Sequence, residues 1–233
     1  KGGLPTIAVR DLHIQKREND LVVATFGRGV YILDNYTPLR TITPETLKRD
    51  TVFPVKDAMM YIQSQPLGGR GKSFQGERYY TADNPPFGAT ITYYLKDALK
   101  TKKERRQESE REAERRNAPV GWPTQAELRA EDEDEAPTVV LTVTDSAGRV
   151  VRRVTGPIGA GIQRINWDLR YPAAVLPGPP PPDADFDFEP PSGPLVMPGS
   201  YKVELVKRVD GVVTPLGQAQ QFEVYVDGQN DMS

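Results

Sequence analysis

Residues 137 to 168 read Pro137-Thr-Val-Val-Leu-Thr-Val-Thr-Asp145, Ser146-Ala-Gly-Arg149, Val150-Val-Arg-Arg-Val-Thr-Gly156 and, past a short Pro- and Gly-containing link, Gly161-Ile-Gln-Arg-Ile-Asn-Trp-Asp168. Val139, Leu141 and Val143 alternate with Val140, Thr142 and Thr144. A period of two with β-branched residues in nearly every slot is the pattern of a strand with one buried face. Asp145-Ser146-Ala147-Gly148 supplies turn chemistry, with Gly148 free to take a positive φ. Val150, Val151 and Val154 carry a second strand back. Gly159 to Gly161 makes another turn, and Ile162, Ile165 and Trp167 occupy a third strand. The stretch is therefore expected to form a β-meander at the heart of a small β-sandwich. Trp167, alternating with Ile165, is its strongest core candidate.

Composition agrees with a mainly β fold. The hydrophobic share is 37%, and 20 Gly and 22 Pro among 233 residues point to long loops rather than a helical bundle. A formal net charge of -2 gives no global field for nucleic acid or an anionic membrane. No apolar run approaches the ~20 residues that span a bilayer, so no membrane insertion is expected. The absence of cysteine removes disulfides, a thiol nucleophile and thiolate metal sites. Lys1 is not an initiator methionine, and the chain opens in strand-like sequence, so a piece of a longer protein is expected.

Residues 6 to 34 hold three strand candidates: Ile7 to Ile14, Leu21 to Thr25 and Val30 to Asp34. They are separated by the polar turn Glu18-Asn19-Asp20 and by Gly27-Arg28-Gly29. Three strands so spaced suit part of a propeller blade, and a lone blade cannot bury both of its faces. Residues 41–84 read as a linker. Thr43-Pro44-Glu45 marks a short helix within it, with Thr43 as N-cap and Pro44 at the first helical position. Thr90 to Leu95 is a strand with Ile91, Tyr93 and Leu95 on one face. Residues 97–135 are foreign in composition. Lys100 to Arg116 is almost wholly charged, with Glu112 and Arg116 at helical i,i+4 spacing, and Thr124 is placed to cap a second helix. This pair is expected to be a solvated helical insertion in the sandwich, and it lacks the apolar stripe of a membrane-lying helix. Beyond the Pro-rich stretch 171–197, Tyr201, Val203 and Leu205 alternate, Asp210-Gly211 marks a hairpin, and Phe222, Val224 and Val226 form the last strand.

Several stretches resemble a known family. Leu21-Val-Val-Ala-Thr-Phe-Gly-Arg-Gly-Val-Tyr-Ile-Leu-Asp34, followed by Thr37-Pro-Leu-Arg40, resembles the closing blade of bacterial sortilin/VPS10-like BNR-repeat proteins, often labelled glycosyl hydrolases. Asn84-Pro-Pro-Phe-Gly-Ala89, Asn166-Trp-Asp-Leu-Arg-Tyr171 and Gly193-Pro-Leu-Val-Met-Pro-Gly199 resemble the sandwich that follows the propeller there. The resemblance implies a partial β-propeller blade over 1–40, the linker 41–84, and an immunoglobulin/fibronectin III-like β-sandwich over 85–228 with the charged helical insertion 97–135. It also implies an extracellular or periplasmic parent, with the upstream propeller of the same chain as partner. Many members carry His after the blade-motif Thr; Phe26 stands there in this chain, so the position receives no role. The repeat's Asp-box pattern is absent from the sequence.

The chemistry-bearing residues are sparse. A glycosidase requires two carboxylates ~5–9.5 Å apart. Asp11 and Asp34, near strand ends, are the pair on offer, although with 32 acidic residues some pair is expected by chance. His13 is the sole histidine and makes neither a zinc site nor a triad on its own. Asp183-Ala-Asp-Phe-Asp-Phe-Glu189 has oxygen ligands for calcium but lacks EF-hand spacing, so a loop clamped by Phe186 and Phe188 is the plainer reading. Gly71-Lys72-Ser73 matches the tail of a phosphate loop, but Pro66 stands where the first Gly belongs. Arg70 and Lys72 are the partner-contact candidates of that loop. Trp122, beside Pro123, is either a sugar-stacking platform or an anchor for the inserted helices. No catalytic, metal or cofactor residue is assigned. The leading expectation is a non-catalytic accessory and interaction domain. The alternatives are a wall of an active glycosidase whose carboxylates lie upstream, or a stand-alone carbohydrate- or peptide-binding sandwich.

Overall fold

The computed structural model describes residues 6–62, 84–174 and 191–226. Of the described residues, 41% lie in strands and 16% in helices, with a sheet curled into a half-barrel, so the chain is mainly β. It divides into two compact units, Lys1–Leu47 and Lys48–Ser233.

Unit 1 is an antiparallel sheet of β1 (Val9–Gln15), β2 (Asp20–Thr25) and β3 (Val30–Leu33) in that order. The turns follow the sequence: Asn19 takes φ 59°, and Gly27 and Gly29 take 73° and 82°. The sheet is followed by a four-residue helix α1 (Thr37–Arg40), which uses Pro38 in its first turn. The helix expected at Thr43 is instead a single 3-10 turn over Thr46–Lys48. The Thr43 hydroxyl does accept the Thr46 N–H at 3.2 Å, so the capping chemistry is present without enough following residues to extend a helix.

In unit 2, β4 (Thr51–Val52), β6 (Ala89–Leu95) and β9 (Gly161–Trp167) form one sheet in the order β4-β6-β9. The other sheet has the order β5-β12-β10-β7-β8, and β11 also pairs with β10. Its strands are β5 (Ala58–Met60), β7 (Thr138–Asp145), β8 (Val150–Gly156), β10 (Gly199–Val209), β11 (Val212–Pro215) and β12 (Gln220–Val226). The alternation read in the sequence sets the buried face. Ile91, Tyr93 and Leu95 of β6, Val139, Leu141 and Val143 of β7, and Trp167 are all fully enclosed. They share one apolar cluster with Tyr201, Val203, Leu205, Phe222 and Val224. The Trp167 ring lies 5.4 Å from Tyr201 and 6.3 Å from Phe222, so aromatic contacts join the two sheets.

Two expectations are corrected. The meander over 137–168 is broken after its first hairpin: β7 pairs with β8, but β9 pairs with β6 of the other sheet, Ile165 opposite Ile91 and Ala89 opposite Trp167. Pro157 lacks the N–H a continued ladder requires, and its carbonyl instead accepts the Tyr93 hydroxyl. The chain thereby crosses between sheets rather than turning back along β8. Residues 51–60, expected within the linker 41–84, supply β4 and β5 and bury Phe53 and Ala58. Strands this short carry too few residues to show periodicity. β5 is held by parallel pairing to β12, 58 opposite 224.

Candidate functional site

Three places in the described residues have organised side chains, and the first is the sheet of unit 1. Cross-strand partners share a face. The rows Leu12–Val23–Tyr31 and Ile14–Leu21–Leu33 therefore put six apolar side chains on one face. Leu12 is 60% exposed, Ile14 and Leu33 are exposed, and Leu21, Val23 and Tyr31 are half-buried. The opposite face carries Asp11, His13, Val22, Ala24, Val30 and Ile32. No described residue of this unit belongs to the buried core cluster. Apolar side chains are exposed on both faces, Val30 and Ile32 of the opposite one at 60% each.

Asp11 and Asp34 are not brought together. Asp11 is level with Val30, whereas Asp34 follows Leu33 at the far end of that strand. At ~3.3 Å per residue and ~4.8 Å between strands they are roughly 16 Å apart, too far for a carboxylate pair. Asp11 instead accepts the Leu12 N–H at 2.9 Å. His13 lies exposed on β1.

The second place is the helical insertion. The helices α2 (Lys102–Arg115) and α3 (Gln125–Asp132) both open with a capping box, Thr101 with Glu104 and Thr124 with Glu127. Neither helix buries a residue. They are joined by charge: Arg106 donates to Glu131 at 2.6 and 3.0 Å and to Glu110 at 2.6 Å. The Arg106 guanidinium holds the Glu131 carboxyl below the usual carboxylate range, and the Glu127 carboxyl is lowered by its bonds to Thr124. The predicted Glu112–Arg116 pair is present at 3.8 Å but well exposed, so it contributes little. Trp122 lies between the helices and is 96% exposed. It therefore does not anchor the insertion, and its indole face is open. Arg70 and Lys72, the other contact candidates, lie outside the described residues, as do Gly71 to Ser73 and Asp183 to Glu189.

The third place joins the three motif stretches. The Asn166 amide donates to the Phe87 carbonyl at 2.8 Å, and the Arg170 guanidinium donates to the Gly193 carbonyl at 2.9 Å. Tyr171 N–H reaches Pro194 and Val196 N–H reaches Leu169. The Trp167 indole N–H donates to the Arg170 carbonyl at 3.1 Å. Leu169, fully buried, takes φ 56°, a left-handed conformation rare for such a residue. All of these bonds end on backbone carbonyls, three from side chains and two from backbone N–H groups, and they present no nucleophile or acid–base pair. Their use is to fix the ends of the stretches that meet there.

Elsewhere, a shallow depression of about 320 Å³ on the outer face of the larger sheet is lined by Thr142, Thr144, Ser200, Lys202, Glu204 and Gln221, among others. Ser200 and Gln221 already bond each other at 2.7 Å. Asp145, at its edge, accepts the backbone N–H groups of Arg149 and Ala147 and the Arg149 guanidinium, which keeps its carboxyl below the usual range and clamps the β7–β8 turn. Among the described residues no group of three His, Cys, Asp or Glu is placed to hold a metal ion, and no helix is long and apolar enough to cross a membrane. No family model, curated protein or solved structure matches the chain.

Proposed function

We propose that this chain is the non-catalytic accessory and interaction region of a sortilin-like, BNR-repeat propeller protein of glycosyl hydrolase type, exported to the periplasm or the cell exterior. In this reading unit 1 is an incomplete last blade, and unit 2 is an immunoglobulin/fibronectin III-like β-sandwich with a helical insertion. The observation that carries the reading is the uncovered face of Leu12, Ile14, Leu21, Val23, Tyr31 and Leu33. A three-stranded sheet with apolar side chains exposed on it gains most by stacking against a neighbouring sheet, as blades do. Enclosing a fully exposed side chain of this size gains roughly 1.5–3 kcal/mol, and proportionately less for Leu21, Val23 and Tyr31, which are already half-buried.

The test uses an apolar fluorescent dye on the whole chain. Dye binding is expected to fall severalfold in the Leu12→Glu, Leu33→Glu double variant while amide protection across β1–β3 is kept. Unchanged dye binding would remove the support for a stacking face. Aryl-glycoside turnover that disappears in Asp11→Asn would replace the accessory role with a hydrolase. A second reading, glycan contact, is favoured by the exposed Trp122. It expects a binding isotherm against a glycan panel that Trp122→Ala abolishes, and silence across the panel at millimolar ligand removes it.

A further inference from the structure

The helical insertion is held to the sheet by contacts of a different kind from those that hold it together. Its base is fixed. Leu99 packs against the core cluster and donates its N–H to the Ile158 carbonyl at 2.9 Å, and Pro137 is buried where the chain enters β7. Just above the base, Asp134, whose side chain is 3% exposed, accepts the Lys102 N–H at 2.8 Å, with the Lys102 ammonium 3.6 Å away. Together with the Arg106–Glu131 pair, whose carboxylate is 7% exposed, this makes the join between the helices largely dry. Bidentate charge-assisted bonds of that sort are strong and only weakly screened.

The contacts between the root of the insertion and the larger sheet are wet. One Arg105 nitrogen reaches both carboxylate oxygens of Asp210 at 2.6 Å, with side chains 48% and 32% exposed. Asp210 sits in the β10–β11 turn at φ 53° beside Gly211. Arg208 on β10 meets Glu135 at 2.9 Å, with side chains 42% and 63% exposed. An exposed ion pair shifts an equilibrium by up to roughly fivefold and is lost to salt. No apolar side chain of either helix is buried to reinforce these contacts.

We propose that α2 and α3 form a hinged arm, latched to the β10–β11 turn by Arg105–Asp210, that swings away as an intact helical pair when the latch is broken. The hinges are the short segments between Leu99 and Lys102 and between Asp134 and Pro137. The arm is about 21 Å long at 1.5 Å per residue of α2, and it carries Trp122 at its tip. Release therefore moves that indole over a wide arc and bares the turn at Asp210.

Because the chain has no cysteine, spin labels can be placed uniquely at Ala126→Cys on α3 and Thr214→Cys on β11, both exposed positions. The distance between the labels is measured in the whole chain at about 0.02 M and about 1 M salt, where the Debye length shrinks to ~3 Å. The measurement is repeated at low salt in Arg105→Gln. The expected result is one narrow distance at low salt, and a longer population that grows severalfold at high salt and in the variant. Amide protection within α2 stays unchanged throughout. A single distance under all three conditions overturns the proposal. A longer distance that appears only together with loss of α2 protection overturns it too, since that is melting and not a swing.

Discussion

Gly88 provides a sharp test of how β6 and β9 are joined. It takes φ +119°, and a Cβ built on it would lie 2.0 Å from the Trp167 carbonyl oxygen, 2.9 Å from that carbonyl carbon and 3.0 Å from the Asp168 Cα. All three obstacles are backbone, so no rotamer change relieves them. The next residue, Ala89, is already paired with Trp167. In Gly88→Ala the strands must therefore part by about 1 Å at this end, a forced shift of the kind that costs ~1–3 kcal/mol. The positive φ adds ~1–2 kcal/mol for a residue with a Cβ. The sum, ~2–5 kcal/mol, is a large part of the ~5–15 kcal/mol that holds a domain folded. Gly148→Ala isolates the backbone part, because Gly148 has φ +78° but nothing within 4 Å of its would-be Cβ. Urea unfolding followed by tryptophan emission reads unit 2, since Trp167 is enclosed while Trp122 is already in water. Gly88→Ala is expected to lower the midpoint by about 1–2 M, and Gly148→Ala by clearly less. Equal losses in the two variants would refute the close approach of Gly88 to β9.

Two further outcomes follow from local chemistry. Burial pushes the Tyr93 phenol up to about 12 from an ordinary 10, and burial also raises Tyr201. The folded state thus holds the Tyr93 proton longer than the unfolded chain, so stability is full below pH ~10 and declines as pH rises towards ~12. Ultraviolet titration should show these phenols ionising late, and a Tyr93→Phe variant should lose the alkaline decline that this group causes. Thr124→Ala removes the side-chain acceptor of the α3 capping box, at a cost of ~1 kcal/mol to that helix. Faster amide exchange confined to 125–132 is the expected reading, and unchanged exchange would show that the cap contributes nothing there.

Side-chain alternation alone made much of this molecule legible. β6, β7, β10 and β12, together with the enclosed faces of β6 and β7, follow from the period of two, because in a strand direction along the chain and direction in space are locked together, while β1 to β3 follow from short apolar runs bounded by polar and Gly turns. The positive φ values at Gly148, Asp210 and Gly211 follow from turn residues that tolerate them. The two helices follow from the charged run with Glu112 and Arg116 at i,i+4 spacing and from Thr124 as a cap, while the capping boxes of Thr101 with Glu104 and Thr124 with Glu127 come from the structure. What no local pattern contains is the choice of partner. β9 has the spacing of a meander strand, yet it pairs with β6, because Ile165 and Trp167 complete an apolar layer that only the packed sheets define. Arg105 and Asp210 are 105 residues apart, and nothing in either neighbourhood names the other. The same holds for the uncovered face of unit 1. The sequence states that Leu12, Val23 and Tyr31 are apolar, while their sharing of one open face depends on the register of three strands, set by hydrogen bonds across the sheet.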